Sequence, residues 1–108
     1  MLISRIWHGA VPARLGDAFA RHLDDTGVRE ARSTAGNTGA YVRRVDAVGY
    51  AHFFLCTLWE SWPAIRAFAG ERPEIPVSYP DDQAYELISD PIVAHQEVSA
   101  AANPFVIA

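Results

Sequence analysis

Tyr50-Ala51-His52-Phe53-Phe54-Leu55-Cys56-Thr57-Leu58-Trp59 contains the longest nearly unbroken apolar run of the chain, Phe53 to Trp59. Phe54, Cys56 and Leu58 fall on one side of an extended chain, and Phe53, Leu55, Thr57 and Trp59 fall on the other. A strand apolar on both faces belongs in the middle of a sheet that is covered on both sides. The apolar run is far shorter than the ~20 residues a membrane span needs, so no transmembrane helix is expected.

Working outward, Asp46-Ala47-Val48-Gly49 is a short glycine-containing connection, and it predicts a hairpin between Ala40–Val45 and Tyr50–Trp59. Ser33 to Gly39 is rich in turn formers and reads as a loop. Leu2 to His8 reads as a strand, with Leu2, Ser4, Ile6 and His8 on one face and Ile3, Arg5 and Trp7 on the other; Gly9 is expected to end it. Leu15, Ala18, Phe19, His22 and Leu23 mark one face of a helix from about Pro12, or from Asp17, to Thr26, with Gly27 as its C′ residue. Downstream, Ser61 caps a helix through Ala69, with Pro63 in its first turn and Gly70 closing it. Pro73, Pro76 and Pro80 exclude a regular helix over 71–80. Asp81 or Asp82 caps a short helix to about Ser89, and Ile92 to Val98 is the last strand. The order β-α-β-β-α-(α)-β is that of an α+β, ferredoxin-like fold with an antiparallel sheet. Its helices cover one face, so the second apolar face and the apolar tail residues Phe105, Val106 and Ile107 predict a homodimer.

Composition narrows function. The 108 residues make one domain, with a core over 2–98 and a tail over 99–108, and half of them are apolar. Nine arginines and no lysine exclude Schiff-base, pyridoxal-phosphate and P-loop chemistry. A net charge of −4 argues against nucleic acid as a partner. The single cysteine, Cys56, permits no internal disulfide, and the N-terminus has no signal-peptide pattern, so a cytoplasmic location is expected. The four histidines lack metal-ligand spacing and no nucleotide-binding loop is present, so neither metal nor cofactor is expected.

Several stretches carry a family resemblance: Ile3-Ser4-Arg5-Ile6-Trp7-His8-Gly9, Gly36-Asn37-Thr38-Gly39, Trp59 through Gly70, Tyr79-Pro80-Asp81-Asp82 and His95-Gln96-Glu97-Val98. Together they resemble the antibiotic biosynthesis monooxygenases, which are dimeric α/β barrels. The resemblance implies a cofactor-independent oxidation of an aromatic or polyketide-like small molecule by O2. A cyclase or isomerase of the same barrel, or a non-catalytic small-molecule binder, are the alternatives. Haem-degrading relatives resemble one another in an asparagine on the first strand; this chain offers Ser4, Arg5 and His8 there. It also has Gln96 where related sequences show a tyrosine.

Such chemistry needs a dry cavity, a base and an oxyanion donor. His95 and His52, both on expected strands, are the candidate bases, and Tyr85 is the candidate donor. Trp7, Phe54, Trp59 and Trp62 are candidate walls for a flat substrate, although large aromatics also serve simply as core. His8 and His22 read as packed residues with a polar tip, Asn37 as a loop residue satisfying its own backbone, and Cys56 as a small buried hydrophobe.

Overall fold

A computed structural model describes residues 2–98. Strand β1 (Leu2–Pro12) leads through a 3-10 turn at Ala13–Leu15 into α1 (Gly16–Leu23). That helix passes through a π-turn at Asp24–Val28 into α2 (Arg29–Ser33). The hairpin of β2 (Asn37–Ala47) and β3 (Tyr50–Trp59) follows, then α3 (Trp62–Ala69), an irregular segment, a 3-10 turn at Asp82–Tyr85, β4 (Ile88–Ser89) and β5 (Ala94–Val98). In the sheet β2 lies beside β3, β3 beside β1, and the far edge of β1 is shared by β4 and β5. Every pairing is antiparallel. This is the α+β, ferredoxin-like architecture.

β1 and β3 are the inner strands, in register from Ile3 opposite Trp59 to Pro12 opposite Tyr50. Odd-numbered residues of both strands face the helices. Trp7, Val11, Phe53 and Leu55 pack with Phe19 and Leu23 in one buried cluster. Ile3 and Trp59 pack with Ala31, Ile65 and Phe68 in a second. Even-numbered residues occupy the opposite face, where Ser4 Oγ and Cys56 Sγ lie 3.3 Å apart and Leu58 is buried.

Local signals explain most of the boundaries. Val48 and Gly49 both have positive φ, 54° and 80°, which matches the twist demanded of a two-residue hairpin turn. Ser61 Oγ accepts from the Ala64 N–H at 3.3 Å, capping α3, and Gly70 ends that helix at φ 91°.

Five boundaries differ from the expectation. β2 runs over Asn37–Ala47, longer at both ends than the expected Ala40–Val45, because its ladder to β3 extends from Asn37 opposite Trp59 to Ala47 opposite Tyr50 and takes in the end of the expected loop and half of the expected connection. β1 does not stop at Gly9: the ladder to β3 continues to Pro12, and Gly9 is needed because a Cβ there would meet Trp7 Cζ2 at 2.4 Å. The first helix does not end at Gly27, because Ala31 still has a core to enter; a Cβ at Gly27 would sit 3.1 Å from Leu55, so this glycine marks close approach of helix and sheet. The expected helix to Ser89 is a 3-10 turn, since Glu86 takes the left-handed conformation at φ 53° and the chain then pairs Ile88 and Ser89 with β1. β5 begins at Ala94, not Ile92, which is 68% exposed. The expected packing of Phe105, Val106 and Ile107 lies outside the described residues. No described helix is long and apolar enough to cross a membrane.

Candidate functional site

Between the helix-bearing face of the sheet and the segment 71–87 lies a cleft in two adjoining parts, which share bordering residues. The inner part, about 30 Å³, is bounded by Arg5, Phe19, Leu55, Phe68 and the π-turn residues Thr26 and Gly27. That is room for about two water molecules. The outer part is a groove of about 500 Å³, walled by Pro76, Ser78, Pro80 and Gln83. Trp7, Val77, Tyr79, Asp82 and Leu87 border both parts. Only the groove has the volume of a small-molecule site. The π-turn widens α1 where the inner cavity opens, a position such turns often occupy at functional sites.

Arg5 is the unusual group in the cleft. Its residue is 3% exposed, yet among the described residues no carboxylate pairs with it. Nη2 donates to the Pro73 and Ile75 carbonyls at 3.3 and 3.4 Å, the guanidinium lies over the Phe68 ring at 5.5 Å, and Nε–H has no partner. Loss of hydration is the main reason its pKa is lowered to about 10. Such a depression corresponds to a cost on the order of 3 kcal/mol for keeping the charge.

At the groove, Asp82 is fixed from two sides. His22 Nε2–H donates to Oδ1 at 2.8 Å, and the Tyr79 backbone N–H donates to Oδ2 at 2.9 Å. Because a carboxylate only accepts, the proton resides on His22 Nε2, and each Asp82 oxygen retains a free lone pair. His22 stacks on Tyr85 at 4.7 Å and packs against Phe19. The Tyr79 hydroxyl donates to Glu30 at 2.7 Å; burial and that carboxylate together push its pKa well above the usual phenol range. Trp7 Nε1–H donates to Ser89 Oγ at 2.8 Å, holding the indole against the groove.

The residues proposed from sequence do not form one constellation. Tyr85 lies on the helix side behind His22. His95 is also on the helix side, paired in the ladder with Arg5 and tilted against Trp62 at 5.1 Å. Its Nε2 is buried without a partner; desolvation first, and the Arg5 charge second, lower its pKa. His52 faces the other way, so it cannot act with either of them: even and odd residues of β3 point to opposite faces. There Asp90 accepts from His8 Nδ1–H at 3.0 Å, and His8 Nε2 lies 3.1 Å from His52 Nδ1. Ring centroids 5.4 Å apart and planes within 5° describe two rings side by side around an in-plane hydrogen bond. Among the expected walls, Trp7 borders the cleft, Phe54 stacks on His8 on the far face, Trp59 is fully buried beneath Phe68, and Trp62 flanks His95. Phe54 and Trp59 are therefore core or far-face residues with respect to this cleft. Arg5 and Asp82 were missed as site residues; the signal for Arg5 was its alternation with Ile3 and Trp7 on an apolar strand face. Among the described residues no His, Cys, Asp and Glu group is arranged to hold a metal.

The fold matches solved structures. A candidate antibiotic biosynthesis monooxygenase from Deinococcus radiodurans superposes with a TM-score of 0.62 at 17% identity, covering 98% of this chain and 100% of that one. The chain shares the fold of the antibiotic biosynthesis monooxygenase-like proteins. Rv0793 from Mycobacterium tuberculosis gives 0.60 at 17% identity, over 95% of this chain and 100% of that one. The heme-degrading protein Rv3592 of the same organism gives 0.54 at 23% identity, over 82% and 91%. No family model and no curated protein matches the sequence. The residues of this cleft do not fit a haem: among the described residues no histidine lines either part of it, and His22, which holds Asp82 at the groove, commits Nε2 to that carboxylate.

The lowered pKa of His95 has a thermodynamic consequence. Above pH 6.5, the ordinary histidine value, both folded and unfolded chains keep it neutral, and it contributes no pH dependence. Below 6.5 the unfolded chain takes up a proton that the folded one refuses, so stability falls. Thermal melts between pH 7.5 and 5 should show a smaller drop in Tm for His95→Gln than for the original chain; equal drops would contradict this protonation state.

Proposed function

We propose that the protein is a cofactor-independent monooxygenase that oxidises a hydroxylated aromatic molecule in the helix-side groove. The observation carrying this reading is the pairing of an aromatic wall, Trp7, with a carboxylate, Asp82, held in place by His22 and the Tyr79 N–H. The fold shared with monooxygenase-like structures supports it. Asp82 accepts the phenolic proton. The resulting phenolate transfers an electron to O2, the para carbon, which carries a hydrogen, bonds to the reduced dioxygen, Asp82 returns its proton to the peroxide, and the hydroperoxide loses water together with that hydrogen to leave a quinone. One phenol and one O2 thus give one quinone and one water, with the substrate supplying all electrons. His22 steadies the Asp82 charge during the transfer, and Tyr85 steadies His22. A proton-transfer reaction without O2, in a cyclase or isomerase, would use the same carboxylate and is the second reading.

Oxygen uptake with a panel of anthrones and hydroquinones separates the two. The monooxygenase reading expects uptake well above autoxidation, with Asp82→Asn lowering turnover about 10²–10⁴-fold, as removal of a general base does. Uptake no faster than autoxidation across the panel overturns it, and product formed without oxygen consumption moves the assignment to the second reading.

We also propose that the chain works as a homodimer joined through the sheet face opposite the helices. Val45, 50% exposed, and the half-buried Ile6 and Phe54 lie on that face, around buried Cys56 and Leu58. A second copy of the same sheet is the simplest cover for it. Light scattering at micromolar concentration should return twice the chain's 11.9 kDa; a monomer mass would refute the pairing.

A further inference from the structure

We propose that the inner cavity is a binding pocket for a carboxylate, with Arg5 as its counter-ion, so that the ligand of this cleft is a hydroxylated aromatic acid. This deepens the reading of the preceding subsection and shares its cleft, but the two can fail separately. A guanidinium that is 3% exposed, faces a cavity and has no carboxylate partner is destabilising as it stands. Two long bonds to the Pro73 and Ile75 carbonyls and one aromatic face are weak compensation, and Nε–H makes no bond at all. A carboxylate would supply the acceptors and the counter-charge that this guanidinium lacks among the described residues.

The size and charge of the pocket specify which anion. Its roughly 30 Å³ matches about two waters, and a carboxylate brings two oxygens. Among the residues bordering the two parts of the cleft, Arg5 is the only cation, so a monoanion is neutralised and a dianionic phosphate is not. The planar fork of arginine donors suits a planar carboxylate. Other ionisable groups reinforce the placement. His95, beside Arg5 in the ladder, keeps an unpartnered Nε2 and is held towards its neutral form, so it does not offer a competing charge. The Tyr79 hydroxyl is spent on Glu30, and Glu74 is engaged by Arg72. Asp82, which also borders the cavity, repels an anion from its own end and accepts a hydroxyl there instead. The ligand is thereby oriented with its carboxylate inward at Arg5 and its hydroxyl at Asp82.

The test compares binding of 2-naphthoate and 2-naphthol by calorimetry at pH 7.5, using the whole chain. Neither measurement requires turnover, so failure of the oxygen-uptake assay leaves it intact. A charge-assisted hydrogen bond is worth about 10–100-fold in affinity. The expected result is naphthoate bound at least about 10-fold more tightly than naphthol, with the preference lost in Arg5→Gln while naphthol affinity is kept. Equal affinities in the original chain, or an undiminished preference in the variant, overturn the proposal. Arg5→Met, which removes the charge and keeps the bulk, serves if Arg5→Gln fails to fold. A third readout needs no substitution: the ¹⁵Nε–¹Hε spectrum of the original chain should gain one shifted arginine signal with naphthoate and none with naphthol. A spectrum unchanged by naphthoate overturns the assignment equally.

Discussion

The register of β1 against β3, from Ile3 opposite Trp59 to Pro12 opposite Tyr50, determines which side chains meet the helices and which face away. Side chains alternate faces with a period of two, so a slip by one residue would move every side chain of β1 across the sheet. With Ile3 opposite Trp59, the residues Ile3, Arg5, Trp7 and Val11 enter the space beneath the helices. The same choice sends Ser4, Ile6 and His8 to the opposite face. The register is held because the odd residues of both strands fill two separate buried clusters, one under α1 and one under α3. Along β1, Arg5 falls between Ile3 of the second cluster and Trp7 of the first, and Arg5 and Trp7 both border the cavity.

From that placement the electrostatics of the cleft follow. Arg5 is buried by its strand, not chosen for it by a carboxylate, and the sheet holds it at a cost that apolar burial elsewhere covers. The polar groups that border the cavity with it are occupied: the Tyr79 hydroxyl donates to Glu30, and Asp82 accepts from His22 and a backbone N–H. A site that keeps an unpaired cation at its inner end and a buttressed carboxylate at its rim is polarised before any ligand arrives. Preorganisation of this kind is what allows fixed groups to stabilise developing charge without reorganising. The Asp90–His8–His52 string is equally ordered but lies across the sheet, so it belongs to the proposed dimer face and not to this cleft.

Much of the fold was legible because its signals are local. The doubly apolar Tyr50–Trp59, the Val48-Gly49 turn and the Ser61 cap each follow from short-range rules, and the structure carries them. Gly27 shows where such rules stop. A glycine after an apolar helical face reads as a terminus, but here it lets helix and sheet approach, which depends on Leu55 far away in sequence. The site was less legible for the same reason. His52 and His95 both lie on strands, and only the parity of each position against its partners decides which face it occupies. His22 read as a packing residue, and packed it is; its partner Asp82 is brought to it by the proline-rich segment and a 3-10 turn that no periodicity foretells. Arg5 was visible as a lone charge on an apolar strand face, but whether it had a counter-ion was a question for three dimensions.

Ligand binding on the helix side of the sheet would be read out by amide chemical-shift mapping. Titration of the ¹⁵N-labelled protein with 2-naphthoate should shift the Trp7 indole N–H, the Thr26 and Gly27 amides of the π-turn and the Val77–Gln83 segment, while Tyr41, Arg43 and His52 on the opposite face stay in place. Shifts confined to His8, His52 and their neighbours on β2 would contradict the account, because they would put the ligand on the face where the sheet turns away from Arg5.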